Sequence, residues 1–134
     1  MLIREAKSDD IKPLTLLMKE GFGWRTSNIK SDVFFSSDNI KCLIAENKNG
    51  DLMGSASLHL IQKIDRKIGL IEDVVVFKKF QGKKIGFKII KELIEISKNE
   101  KCYKIILNTN KKNISYYKKL GFNLKEFQME LRNF

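Results

Sequence analysis

The apolar positions Ile11, Leu14, Leu17 and Met18 fall at i, i+3, i+6 and i+7, the spacing of one helical face. Ser8-Asp9-Asp10 stands before them with Ser8 as the expected cap, Pro13 is tolerated in the first turns, and Gly21 and Gly23 end the helix. The period then shortens. Ile40–Glu46, Leu52–Ile64 and Ile68–Phe77 read as strands joined by turns at Asn47–Asp51 and Asp65–Lys67, with Gly54 a candidate bulge. Between the first helix and these strands, residues 24–38 are mixed, with a short helix expected around Asp32–Phe35. A second helical period runs from about Lys83 to Lys98, burying Ile85, Ile89, Leu93 and Ile96. Cys102–Thr109 reads as a buried strand, Asn113 can cap a helix through Leu120 that Gly121 stops, and Leu124–Arg132 reads as a final strand. With a short first strand at Leu2–Ala6, the order is β-α-(α)-β-β-β-α-β-α-β. That order predicts a single domain over residues 1–134 in the α/β (mixed α+β) class, with a mixed sheet and helices on both faces.

Length and composition narrow the picture. The chain has 134 residues, 43% hydrophobic and 31% charged, enough for one core without staples. Cys42 and Cys102 lie far apart with no metal-ligand spacing, and His59 is the single histidine, so a zinc site or disulfide framework is not expected. His59 falls on a strand and reads as structural. No apolar run reaches the roughly 18 residues of a membrane span, and the charged Arg4-Glu5 start does not resemble a signal peptide. The expected setting is cytoplasmic, with reduced thiols.

The charge adds a clue. There are 26 basic and 16 acidic residues, a net charge of +10. Residues 1–44 carry 7 basic and 6 acidic groups, so the excess lies in the rest of the chain. A basic surface attracts nucleic acid, anionic membrane or small anions. Only four of the basic residues are Arg, and no basic–aromatic interleaving of a nucleic-acid binder is present, which argues against nucleic acid. The densest cluster, Lys78, Lys79, Lys83, Lys84, Lys88 and Lys91, has no acid within it.

Inside that cluster, Gln81-Gly82-Lys83-Lys84-Ile85-Gly86 joins an apolar strand to an amphipathic helix. Backbone amides at a helix start are unsatisfied and, with the helix dipole, favour an anion such as phosphate. Upstream, Glu72 and Asp73 interrupt the apolar run Ile71–Phe77. Adjacent carboxylates there are costly unless paired or open to a site. Strand neighbours point to opposite faces, so one of the two at most is expected to face a reaction centre.

These segments resemble the acetyl-coenzyme A-dependent N-acetyltransferases of the GNAT superfamily. Gln81 and Gly86 match the motif Gln/Arg-x-x-Gly-x-Gly/Ala, with Lys84 where its first glycine stands. Within that superfamily, Ile71–Val76, Cys102–Leu107 and Asn113–Phe122 resemble the glucosamine 6-phosphate N-acetyltransferases. The resemblance runs from about residue 69 to the C-terminus and is weak over residues 1–66. It implies the GNAT fold, a mostly antiparallel sheet flanked by about four helices. It also implies transfer of acetyl from acetyl-coenzyme A to the amine of glucosamine 6-phosphate, a step toward UDP-N-acetylglucosamine, by direct attack of the amine, without a metal, in a homodimer.

The resemblance also assigns roles. Donor contacts fall on the backbone of Val74, Val75 and Val76, on Gln81, Gly82, Lys83, Lys84, Ile85, Gly86 and Phe87, and on Asn113 and Tyr117. Tyr117 corresponds to the tyrosine that hydrogen-bonds or protonates the leaving sulfur. Glu72 and Asp73 correspond to acceptor-site residues. Asn108 stands where the family often has an acid; its side chain cannot act as a base, so Glu72 becomes the base candidate and the Asn108 carbonyl a hydrogen-bond acceptor for the amine. Tyr103, Lys104 and Arg132 match positions that bind the sugar phosphate, some across a dimer interface, and Lys63 matches another sugar-site position. Phe22 and Thr26 lie near the family's contact at the end of the first helix. Two other readings remain: a GNAT enzyme for another small amine or a protein, and a non-catalytic acetyl-coenzyme A-binding module.

Overall fold

Alternating apolar residues become strands here because two helical layers cover both faces of the sheet they form. The computed structural model describes residues 1–25 and 31–134. In chain order these hold β1 (Leu2–Glu5), α1 (Ile11–Phe22), α2 (Ser31–Phe35), β2 (Ile40–Glu46), β3 (Leu52–Gln62), β4 (Lys67–Val76), α3 (Ile85–Asn99), β5 (Cys102–Ile106) and α4 (Ile114–Lys119). The sheet order is β1-β2-β3-β4-β5. The first three pairings are antiparallel and β4–β5 is parallel, with α3 as the crossover a parallel pair requires.

Alternation sorts the core. Leu43, Ala45, Met53, Ala56, Leu58, Leu60 and Ile71 face α3 and meet Ile85, Ile89, Ile90 and Leu93. Ile44, Leu52 and Val75 face the other way and meet Leu14 and Leu17 of α1. Arg4 ties the first strand to this frame through a two-pronged contact with Asp10, at 2.9 Å on each oxygen, and a 3.3 Å contact with Glu46. Asn47 closes the β2–β3 turn by accepting from the amides of Asn49 and Asp51, both at 2.9 Å.

Several expectations are corrected. Ser8 is not a cap: it opens a 3-10 turn, Ser8–Asp10, and Asp10 accepts from the Lys7 amide at 2.8 Å. The β2–β3 irregularity leaves Met53 without a partner, one residue before Gly54. β5 ends at Ile106 rather than Thr109. Among the described residues, Leu124–Arg132 forms no strand, because no strand lies alongside it. Its alternating Phe127, Met129 and Leu131 are 92%, 95% and 83% exposed.

Two departures from regular pairing shape the site. β4 and β5 pair only from Lys67↔Cys102 to Leu70↔Ile106, although β4 continues to Val76. Beyond Leu70 the two chains part. On the other side of β4, Ser55 pairs with Val75 and Ser57 with Glu72, so the two residues Asp73 and Val74 oppose Ala56 alone. This is a β-bulge, and Asp73 carries its strain at φ 53.

Candidate active site

The gap between β4 and the chain after β5 opens into a cavity of about 250 Å³. Its walls are Phe22 from the end of α1, Ile71–Val74 from the bulge, Leu107–Asn110 beyond β5, and Asn113 and Tyr117 of the α4 region. Glu72, Asp73, Val74, Asn108, Asn113 and Tyr117, six of the candidates, are therefore brought together. The expectation that the two carboxylates would be separated by the strand's alternation is corrected by the bulge. Its extra residue shifts the phase, and both Glu72 and Asp73 line the cavity.

Electrostatics differ among these groups. Burial raises the Asp73 carboxyl above its ordinary value, and His59 pulls it part of the way back. Burial also raises the Tyr117 hydroxyl, and raises its neighbour Tyr116, which the charge of Tyr117 lifts further. Tyr117 therefore holds its proton at neutral pH and can donate it. Its ring is fixed edge-on between Tyr116 at 5.1 Å and Phe122 at 6.1 Å. Asn113 is the N-cap residue of α4, yet its side chain makes no cap hydrogen bond. The expected capping role is thus not used, and Asn113 is part of the cavity wall.

The strand-to-helix loop follows β4 directly. The Gln81 side chain donates to the Val76 carbonyl at 3.1 Å and pins the loop to the strand end. Gly82 has φ 84 with open space where a Cβ would stand, so the backbone there can be approached closely. Lys84 is the N-cap of α3 in the left-handed region, φ 60, and no side chain caps the helix. The first α3 amides, from Ile85 to Phe87, are thus left for an outside acceptor. Lys84 occupies a backbone shape that suits glycine, a physical reason for the family's glycine at this position. Gly86 lets α4 approach α3, because a Cβ there would come within 3.1 Å of the Tyr116 hydroxyl. Lys83 lies 5.9 Å over the Phe80 ring.

Val74 and Val76 lie on the stretch of β4 that has no β5 partner; the Val76 carbonyl accepts from Gln81, and the rest of their outer backbone edge is open. Val75 is different: it pairs with Ser55 and buries its side chain against α1.

The four candidates for the sugar phosphate lie outside the cavity. Lys63 sits in the β3–β4 turn, its amide donating to the Arg66 carbonyl at 2.7 Å. Tyr103 lies under the Arg66 guanidinium at 4.3 Å, and Lys104 pairs with Ile68. These lie at the end of the sheet where β4 starts, and the six steps from Lys67 to Asp73 span roughly 20 Å of strand. Arg132 lies on the exposed terminal segment, paired with Glu130. Thr26 lies outside the described residues. Sequence reasoning missed Thr109 and Asn110; the run Asn108-Thr109-Asn110 after an apolar strand was the available signal. A second cavity of about 260 Å³, lined by Met1, Asn47, Lys48, Lys83 and Lys88 among others, contains no carboxylate and no tyrosine, so the acyl-transfer chemistry is assigned to the first.

The arrangement suits transfer of an acyl group from a donor lying along β4 to a nucleophile held by carboxylates. Comparison with known proteins agrees. The sequence profile described as "Acetyltransferase (GNAT) family" matches residues 11–122, and the chain belongs to that family. A glucosamine 6-phosphate N-acetyltransferase of Trypanosoma brucei brucei is 44% identical over 85 residues, 61% of this chain and 58% of that protein. The match therefore spans less than two thirds of the trypanosome enzyme. The glucosamine 6-phosphate N-acetyltransferase of Arabidopsis thaliana is 35% identical over 113 residues, 82% of this chain and 74% of that protein. A crystal structure of an Arabidopsis thaliana glucosamine-6-phosphate N-acetyltransferase superposes with a TM-score of 0.86 at 28% identity, covering 98% of this chain and 97% of that one.

Proposed function

We propose that the chain transfers the acetyl group of acetyl-coenzyme A to the amine of glucosamine 6-phosphate. The observation that carries this reading is the bulge, which sets two carboxylates beside Tyr117 in the gap between β4 and β5. The names of the trypanosome and plant relatives support the choice of acceptor.

The donor supplies an activated thioester. On this reading the loop amides from Gly82 to Phe87 hold its pyrophosphate, with Lys83 and Lys84 adding charge. The open backbone edge of Val74 and Val76 holds its pantetheine arm as an added strand would. Glu72 and Asp73 hold acceptor hydroxyl and amine groups. Glu72, directly or through a water, takes the amine proton, because the Asn108 amide has no basic atom. The Asn108 carbonyl accepts from the amine, and Tyr117 gives its proton to the departing sulfur.

The sugar phosphate needs a cation, and the described residues of the cavity walls supply none. A homodimer meets that need. The exposed alternation of Phe127, Met129 and Leu131 has the pattern of a strand without a partner, and β5 is an edge strand. Pairing of the terminal segment of one protomer beside β5 of the other would bury that alternation and carry Arg132 to a neighbouring site, with Tyr103, Lys104 and Lys63 at the same seam. No helix among the described residues is long and apolar enough to cross a membrane, and we place the enzyme in the cytoplasm.

The test is thiol release from acetyl-coenzyme A with glucosamine 6-phosphate, glucosamine and spermidine side by side. Release with the phosphorylated sugar alone is expected. Equal rates with glucosamine would remove the phosphate from the reading. Tight donor binding without release on any amine would leave a binding module.

A further inference from the structure

The bulge at Asp73 needs a backbone conformation that L-residues rarely adopt, and such conformations persist where the surroundings over-determine them. One support lies directly behind it. Buried Ser57 pairs with Glu72, the residue from which the bulge begins. The Ser57 Oγ lies 3.3 Å from the Glu72 carbonyl oxygen and 3.1 Å from Nε2 of His59. That hydroxyl has one proton to give. When Nε2 carries a hydrogen, the imidazole donates to Ser57 and Ser57 donates to the Glu72 carbonyl. When Nε2 is bare, the Ser57 proton turns toward it and the carbonyl loses this donor.

The surroundings of the imidazole are simple. From β4 the Asp73 carboxyl lies within its electrostatic reach, with Glu72 beside it. From β2, Cys42 stands opposite Ser57, its sulfur 3.5 Å from the Ser55 hydroxyl. From α2 the Phe34 ring meets the imidazole at 6.4 Å. Among the described residues, the imidazole is thus flanked by the acceptor carboxylates on one strand and by Cys42 and the Phe34 ring elsewhere.

We infer that His59, acting through Ser57, is a positioning residue of the acceptor site: the state of its ring decides whether the Glu72 carbonyl is held, and so where the Glu72 and Asp73 carboxylates stand. His59 itself touches no reacting atom. The inference takes its substrate from the proposed function, but its structural half stands apart from that reading.

The experiment has two arms. In the first, amide resonances of Asp73 and Val74 are followed with pH, together with the ring protons of His59, which are unambiguous because the chain has one histidine. The bulge amides are expected to move where the ring gives up its Nε2 hydrogen, which the ring nitrogen shifts report. His59→Gln keeps an N–H near the Nε2 position without titrating, so the ring-linked step vanishes while the bulge amides stay near their wild-type low-pH positions. His59→Leu offers Ser57 no competing acceptor and leaves them there as well, whereas Ser57→Ala displaces them. In the second arm, Ser57→Ala raises the KM for glucosamine 6-phosphate about five- to tenfold, the loss of one hydrogen bond, and leaves that for acetyl-coenzyme A unchanged. His59→Gln and His59→Leu abolish the rise in acceptor KM that the wild type shows once Nε2 is bare, since Ser57 then keeps its donation to the carbonyl.

Bulge amides that ignore the His59 ring overturn the inference. So does a His59→Leu protein whose bulge amides leave the low-pH positions, and so does an unchanged acceptor KM in Ser57→Ala. If the wild-type enzyme does not acetylate glucosamine 6-phosphate at all, the substrate reading fails, and the amide titration alone decides whether His59 governs the bulge.

Discussion

Gly82→Ala separates a donor cradle from an ordinary turn. Gly82 has φ 84 and Gly50, in the β2–β3 turn, has φ 81; neither would give a Cβ any close neighbour. The steric cost of alanine in this backbone region is therefore about the same at both, roughly 1–2 kcal/mol per residue. Part of it is offset, because glycine loses more freedom on folding, by about 0.5–1 kcal/mol. A net loss of about 1 kcal/mol lowers the Tm of a domain this size by about 3–5 °C. Gly50→Ala should show that loss and normal kinetics. Gly82→Ala can escape the strain by shifting its loop, and then the amides ahead of α3 leave the positions in which they meet the pyrophosphate. The donor KM then rises by as much as tenfold, the equivalent of about 1.4 kcal/mol, while the acceptor KM stays put. Gly82→Asn, which tolerates the left-handed region, recovers most of the donor affinity. The assay is thiol release with each substrate varied in turn, alongside thermal unfolding of all three variants. A Gly82→Ala enzyme with the kinetics of Gly50→Ala would refute the loop as the donor site.

Tyr117→Phe keeps the ring between Tyr116 and Phe122 and removes the proton; kcat should fall about 100-fold with the donor KM little changed, and an unchanged kcat would end the acid role. Lys84→Gly relieves a left-handed residue at the start of α3 and should stabilise the fold by about 0.5–1 kcal/mol, read by chemical unfolding; a loss of stability would contradict the strain argument. Asp73→Asn tests the cost of the buried carboxylate. Its folded value lies above its unfolded one, so the ionised form destabilises the fold above that range, and the penalty disappears as the pH falls toward about 4 and the group protonates. The variant should therefore melt higher than wild type at pH 7, with the gain fading in acid, while acceptor turnover drops. A gain equal at both pH values would mean that the charge is not its source.

What could be read in the sequence was periodicity. α3 was legible from Ile85, Ile89 and Leu93 because one helical stripe meets one sheet face. The chemistry was legible as an anomaly: Glu72 and Asp73 in an apolar strand had to be offset by something. Their placement was not. Alternation puts neighbours on opposite faces, and a bulge cancels that rule with no residue type of its own to announce it. The end of β5 was hidden for a similar reason. Leu107 continues the apolar run, but pairing stops where the neighbouring strand turns away, and that is a property of β4. In the terminal segment the pattern was legible and its exposure was not: Phe127, Met129 and Leu131 alternate as a strand should, yet no strand among the described residues lies beside them.

The site's parts share one topological origin. A parallel β4–β5 pair needs a crossover helix, and that helix must begin at the end of β4 where the pair has already parted. The crossover thus sets the unsatisfied start of α3 beside the open edge of Val74 and Val76, and the chain leaving β5 carries Asn108, Asn113 and Tyr117 to the far wall of the same gap. The bulge turns the two carboxylates into it from the near wall. Among the described residues, the non-glycine residues with positive φ are Asp73, Lys84 and Lys101. They stand at the bulge, at the start of α3 and at its turn into β5, so the strain lies along the segment that builds the gap. Relieving strain at Lys84 should leave the gap intact, because a glycine keeps the same backbone. Straightening Asp73 should close it, because without the bulge Glu72 and Asp73 return to opposite faces of β4.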